Sequence, residues 1–224
     1  MLNFRVTVPP AIEPVSLTLA KQQIRVDFPD DDALITSYIT ASRQYAENYT
    51  RRAFFNQTIV LSLDHFPYFT GESTLPTRAR QDWAMYSAYY DRITIRLPRP
   101  SCVSVQSITY VDLNGVTQTL PASAYYVDTT SEPGRIVPTS GSYWPYTQAY
   151  VPGSVQVMYT AGSFGDGVTV NNCPQTVIMA IMLLVGSFYE NRSALSEQNL
   201  KEIPMAVSAL LDQEVVHSFS FGNN

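Results

Sequence analysis

Residues able to do chemistry are few in this chain. His65 lies beside Phe66-Pro67 and His217 near the C-terminus, so a Ser-His-Asp or Cys-His arrangement would have to recruit one of these two imidazoles. Cys102 and Cys173 have no CxxC partner and match no ligand spacing, which suits small packing residues better than a redox pair or a metal site. Asp30, Asp31 and Asp32 could hold a cation, but the glycine and distal glutamate of a calcium loop are missing. Carboxylates at that point suit the start of a helix instead. Gly162-Ser163-Phe164-Gly165-Asp166-Gly167 is glycine-rich, yet it has no lysine and no immediate helix, so it reads as a flexible connection and not as a phosphate cradle. The expectation is a protein that is not an enzyme, with no catalytic residue, no metal ligand and no cofactor.

Composition narrows the remaining roles. A chain of 224 residues that is 45% hydrophobic and 15% charged can bury the core of one large domain or two small ones. Its formal charge of -5 argues against a dedicated nucleic-acid binder, which needs a basic surface to neutralise phosphates. The charge is uneven: residues 1–100 hold 11 Lys+Arg against 10 Asp+Glu, and residues 101–224 hold 3 against 9. Arginine forks pair with carboxylates and stack on aromatics, so the arginine-rich half could meet the acidic half of a neighbouring copy, head to tail, in a ring. Arg43, Arg51, Arg52, Arg96 and Arg99 are the candidates for such intersubunit contacts; a merely solvated surface is the other reading. Met1 to Pro14 does not read as a signal peptide, which points to synthesis in a cytoplasm. The longest apolar stretch, Val177 to Phe188, is too short to span a bilayer, so a buried helix and no membrane partner are expected.

The elements that must position these residues fall into three zones. Ser16 can cap a short helix ending near Arg25, and Leu34, Tyr38, Ala41, Tyr45 and Tyr49 recur at helical spacing up to about Thr50, with the tyrosines placed in the core. From about residue 56 to 170 the pattern turns to strands: Ile59, Leu61 and Leu63; Ile93, Ile95 and Leu97; Val105 to Val111; a tight turn at Asn114-Gly115; then Tyr125 to Val127, Arg135 to Val137 and Val155 to Tyr159. Two long loops here, 64–92 and 139–153, carry Trp83, Tyr86, Trp144 and Tyr146. Those aromatics either contact a further protein, bind sugar, or cover the sheet. Pro174 opens an apolar helix to about Asn191, and Pro204 a shorter one. Val215, His217, Phe219 and Phe221 then alternate as in a lone strand. The fold class is α+β: a helical bundle from residues 1–55 and 172–212, an inserted antiparallel β domain at 56–171 (a small sandwich or barrel), and an extended docking tail at 213–224.

Ser16-Leu17-Thr18-Leu19-Ala20-Lys21, Ile24-Arg25-Val26-Asp27 and Asp31-Asp32-Ala33-Leu34-Ile35 together resemble the opening of the tailed-phage head-to-tail connector, or adaptor, family. The likeness continues through Tyr45-Ala46-Glu47-Asn48-Tyr49-Thr50-Arg51-Arg52, Ile95-Arg96-Leu97-Pro98-Arg99-Pro100, Tyr159-Thr160-Ala161-Gly162 and Ile181 to Arg192. The resemblance implies a virion protein at the head-tail junction, assembled in the host cytoplasm. Its ring, expected to be twelvefold, would lie beneath the portal, pass DNA non-specifically through its channel and meet the next neck or tail protein. The 64–92 loop and the Ser/Phe tail depart from that pattern. Val215, His217, Phe219 and Phe221 are expected to dock on the portal, and the Trp/Tyr loops to meet the protein below. The alternative is a carbohydrate- or receptor-binding β module of a phage tail, motivated by the same aromatics.

Overall fold

The computed structural model describes residues 3–68, 92–191 and 205–216. Two compact units divide the chain, one made of Pro9–Gln57 with Gly162–Asn224 and the other of Met1–Val8 with Thr58–Ala161.

The first unit is helical. Helix α1 (Leu17–Ile24) starts where the Ser16 side chain accepts the Leu19 N–H at 3.2 Å, and it stops at Arg25, whose left-handed backbone (φ 57°) ends the helical ladder. Helix α2 (Asp32–Thr50) ends the same way at Arg51. The aspartates at its start do not cap it by side chain: Asp32, its first residue, accepts from Lys21 Nζ at 2.6 Å and Asp31 from the Tyr189 hydroxyl at 2.7 Å, so their charge ties α2 to its neighbours. Helices α3 (Gln175–Glu190) and α4 (Met205–Leu211) complete the described set. Ile35, Ile39, Phe54, Val177, Ile181 and Leu184 are among the core residues.

One expectation about α2 shifts by a residue. The fully buried stripe is Ile35, Ile39, Ser42, Arg43, Ala46, Glu47 and Thr50, while Tyr38, Tyr45 and Tyr49 flank it half-buried. A tyrosine keeps its hydroxyl near water when its ring can still lie against the core, and the buried face went instead to a charged cluster that apolar periodicity does not register.

The second unit is antiparallel β. A five-stranded sheet runs in the order β1 (Asn3–Val8), β2 (Gln57–Leu63), β8 (Val155–Ala161), β4 (Cys102–Val111), β5 (Thr117–Thr119). A three-stranded sheet runs β3 (Ile95–Arg96), β7 (Arg135–Pro138), β6 (Tyr125–Asp128). Val155, Val157, Tyr159 and Ala161 point inward at alternate positions of β8, and β2 is buried on both faces at Ile59, Val60 and Leu61. The β4–β5 hairpin turns at Gly115, whose φ of 79° a side chain would strain, and the Asp112 carboxylate accepts the N–H groups of Asn114 and Val116. Among the described strands both sheets stay open and form no closed barrel.

Besides residues 56–57, which go with the helices, the boundaries of the β region differ from those read in the sequence at two places. Residues 3–8, assigned there to the helical part, form β1, because Phe4, Val6 and Val8 alternate along an edge that pairs with β2. Residues 162–171 stay with the helices. The glycine-rich stretch is an ordered knot and not a flexible link: Asn56 N–H donates to Gly165 O at 3.1 Å, Ala11 N–H to Gly167 O at 2.8 Å, and Ser163 N–H to Ala53 O at 3.0 Å. A β-carbon on Gly162 would overlap the Asn56 backbone, which is why glycine stands there.

Candidate assembly surfaces

The arginines singled out in the sequence separate by what they already hold. Arg43 is internal, its side chain 4% exposed, with Nε 2.7 Å from Glu13 and one terminal nitrogen 2.8 Å from Glu47. Burial alone would lower its pKa, but the hydrogen bonds and charges of Glu13 and Glu47 more than offset this and raise it. Glu47 also accepts the Phe54 N–H at 2.9 Å and Gln57 Nε2 at 3.0 Å. The cluster thus joins residues 13, 54 and 57 to α2, and Arg43 is corrected from an intersubunit contact to an internal strut. Its signal was in the sequence as an i, i+4 Arg-Glu pair; Glu13 and Gln57 carried none.

Arg52 does local work as well. Its guanidinium donates to Ser163 Oγ at 3.3 Å and to the carbonyl of Glu214 at 3.4 Å. Beside it the Tyr49 hydroxyl donates to Asp212 at 2.7 Å, and Val216 N–H to the Thr50 carbonyl at 3.1 Å. Residues 212–216 are therefore pinned to the C-terminal end of α2. Asp212–Glu214 form a 3-10 turn and Val216 is buried, so this part of the expected extended tail is packed, because an apolar side chain at its root had a core to enter. Arg51 is exposed at the end of α2.

In the β unit, Arg96 sits on β3 opposite Arg135 of β7, and the Arg99 guanidinium lies 5.5 Å from the centre of the Phe4 ring. Trp144 is 7% exposed: its ring stacks on Phe66 at 5.0 Å and 5°, and its indole N–H donates to the Ile93 carbonyl at 2.6 Å. It is a plinth under the 139–153 loop and not a contact residue, since a large ring with a satisfied N–H gains most from burial. Tyr146 is 75% exposed, Tyr143 and Tyr150 are more exposed still, and the Tyr146 ring lies 6.3 Å from that of Tyr68. Trp83, Tyr86, His217, Phe219 and Phe221 lie outside the described residues.

Groups with chemical potential are quiet where described. Burial pushes the Cys102 thiol up to about 11 and the Cys173 thiol up to about 12, which keeps both protonated at neutral pH. Among the described residues no cluster of three His, Cys, Asp or Glu could hold a metal, and no helix is long and apolar enough to cross a membrane. The Asp166 carboxylate, held far below its usual range, accepts the N–H groups of Val168, Val170 and Thr169 and so fixes the loop after the glycine knot.

The model of the phage gp6-like head-tail connector protein family matches residues 14–91. No curated protein matches the chain. Solved structures do: a chain of the neck of an empty gene transfer agent particle, computed with C6 symmetry, is 20% identical with a TM-score of 0.67 over 100% of both chains. A chain of the neck of the native particle, computed with C12 symmetry, gives the same values. A chain of the native gene transfer agent virion is 21% identical with a TM-score of 0.65, over 96% of this chain and 95% of that one. The α+β fold, with helical chain ends and a β region between them in sequence, is thus shared with these neck and virion chains, and the head-tail connector resemblance holds by sequence over residues 14–91.

Proposed function

We propose that this protein is a structural virion protein, a head-to-tail connector that forms a ring under the portal, joins capsid to neck or tail and lets DNA pass. The observation that carries the reading is the end-to-end likeness to neck chains, supported by the connector-family match over residues 14–91. The C12 symmetry of one matching neck supports a ring of about twelve copies, and the matched family supports a structural and not an enzymatic role. The acidic net charge fits a channel wall that must release DNA as readily as it admits it.

The tail is assigned to the portal. Residues 212–216 are anchored to α2, so His217, Phe219 and Phe221 follow from a fixed root and can add as a strand or fill apolar pockets, with Val215 and Val216 held behind them. Arg51, Arg52, Arg96 and Arg99 are proposed at or near intersubunit contacts, and Tyr146 with the 64–92 loop, including Trp83 and Tyr86, at the next neck or tail protein. Removing residues 217–224 and measuring binding to purified portal tests the tail; undiminished binding contradicts the assignment. The cut belongs after Val216, because an earlier one would strip a buried side chain from the core.

A carbohydrate- or receptor-binding role rests on Tyr143, Tyr146 and Tyr150, all exposed on one loop. It loses Trp144 as a sugar platform, since both the ring and the N–H of that residue are engaged.

A further inference from the structure

The two ends of the five-stranded sheet differ in chemistry. At one edge β1 is exposed along nearly all its length, with Val6 and Val8 on its surface, Arg5 exposed and the Arg99 guanidinium over Phe4. At the other edge all of β5 is exposed, and its hairpin adds Leu113 and Val116. Asp112 stands at that end as a fixed negative charge: the Gln118 side chain and the N–H groups of Val116 and Asn114 hold its carboxyl below the usual range. The Leu120 N–H donates inward to the Ile108 carbonyl at 2.8 Å, so the alternation of an antiparallel ladder turns the N–H groups of Thr117 and Thr119 outward.

A ring built head to tail needs two different, complementary surfaces on each copy. We propose that these two edges pair between copies: β1 of one copy lies along β5 of the next, with Arg5 and Arg99 facing Asp112. The inference rests on the ring reading and adds to it the surfaces that meet. Basic and acidic edges attract in this order and repel in the like-to-like order, which favours a closed head-to-tail ring over a two-fold dimer. Length sets the limit of the contact. Pro9 and Pro10 follow β1, and β5 is three residues long with Pro121 just beyond, so the added pairing is brief and cannot propagate as an aggregating edge.

Disulfide trapping in the full chain tests this. Cys102 and Cys173 are buried, and cysteines introduced as Arg5→Cys with Thr117→Cys, at the Asp112 end of β5, or Asn3→Cys with Thr119→Cys, sit on opposite edges of one sheet. In samples that native mass measurement shows as rings, the double variants are expected to give a ladder of covalent multimers on oxidation, and the single variants dimers at most. Arg5→Glu is expected to raise the concentration needed for assembly about tenfold, and adding Thr117→Lys to recover part of that. Rings that form without cross-links in either pair, with Arg5→Glu assembling as wild type does, overturn the contact and leave the ring reading standing. A wild-type chain that stays monomeric with and without purified portal overturns both.

Discussion

The helical unit and the β unit solve the same problem, a small core, by opposite means. In the helical unit a charged cluster is taken inside: Arg43, Glu47 and Glu13 are spent on one another and on the Phe54 N–H and Gln57. In the β unit the inside is apolar and aromatic, with Phe66 and Trp144 stacked and Tyr110 at the Phe66 ring edge, 5.6 Å away. The two edges of the five-stranded sheet and the tyrosines of the 139–153 loop, Tyr143, Tyr146 and Tyr150, are left outside. The difference separates two tasks: buried charge has geometric demands that fix where chain segments join α2, whereas the open edges and exposed rings are the surfaces proposed here for a partner.

The sharpest way to break this comparison is to remove one member of the buried cluster. Glu47→Ala leaves Arg43 half-paired and Gln57 and the Phe54 N–H without their acceptor, and is expected to cost about 4 kcal/mol in urea unfolding followed by the helix signal. A cost below about 1 kcal/mol would show that the cluster is not structural. Trp144→Ala comes next, at about 3 kcal/mol, because it empties a stacked, buried ring position. Tyr146→Ala, on the same loop, is expected to leave stability within about 0.5 kcal/mol, and equal effects of the two would erase the plinth-and-surface distinction. Arg52→Ala is expected to cost about 1 kcal/mol and to speed hydrogen exchange at Val216, whose N–H bonds to Thr50.

The smallest effect is one of pH. The carboxyl of Asp166 is depressed in the folded state by its backbone donors, so its stabilisation is complete above the ordinary aspartate value near 4 and is lost as pH falls below that toward the folded value. Asp166→Asn is therefore expected to flatten the acid limb of stability between about pH 4 and 2, and to leave the slope near neutrality unchanged.

Much of this was legible in the sequence, and the exceptions have physical causes. Ser16 capping, the Asn114-Gly115 hairpin and the apolar α3 are local signals, written in neighbouring residues and recovered as such. The role of Arg43 depended on Glu13, thirty positions away, and that of the glycine knot on Asn56, more than a hundred away; neither distance leaves a periodicity to read. For Trp144 the sequence leaves contact and sheet-covering both open, because nothing in a loop rich in Tyr, Ser and Gly says which ring finds Phe66 beneath it. β1 was missed because six residues before two prolines offer alternation too short to outweigh the helical run that follows.

Native mass measurement of the full chain, alone and with purified portal, tests the connector role most directly. A closed ring of about twelve copies, formed alone or on the portal and bound to it, is the expected result. A chain that remains monomeric in both samples and does not bind portal would contradict it.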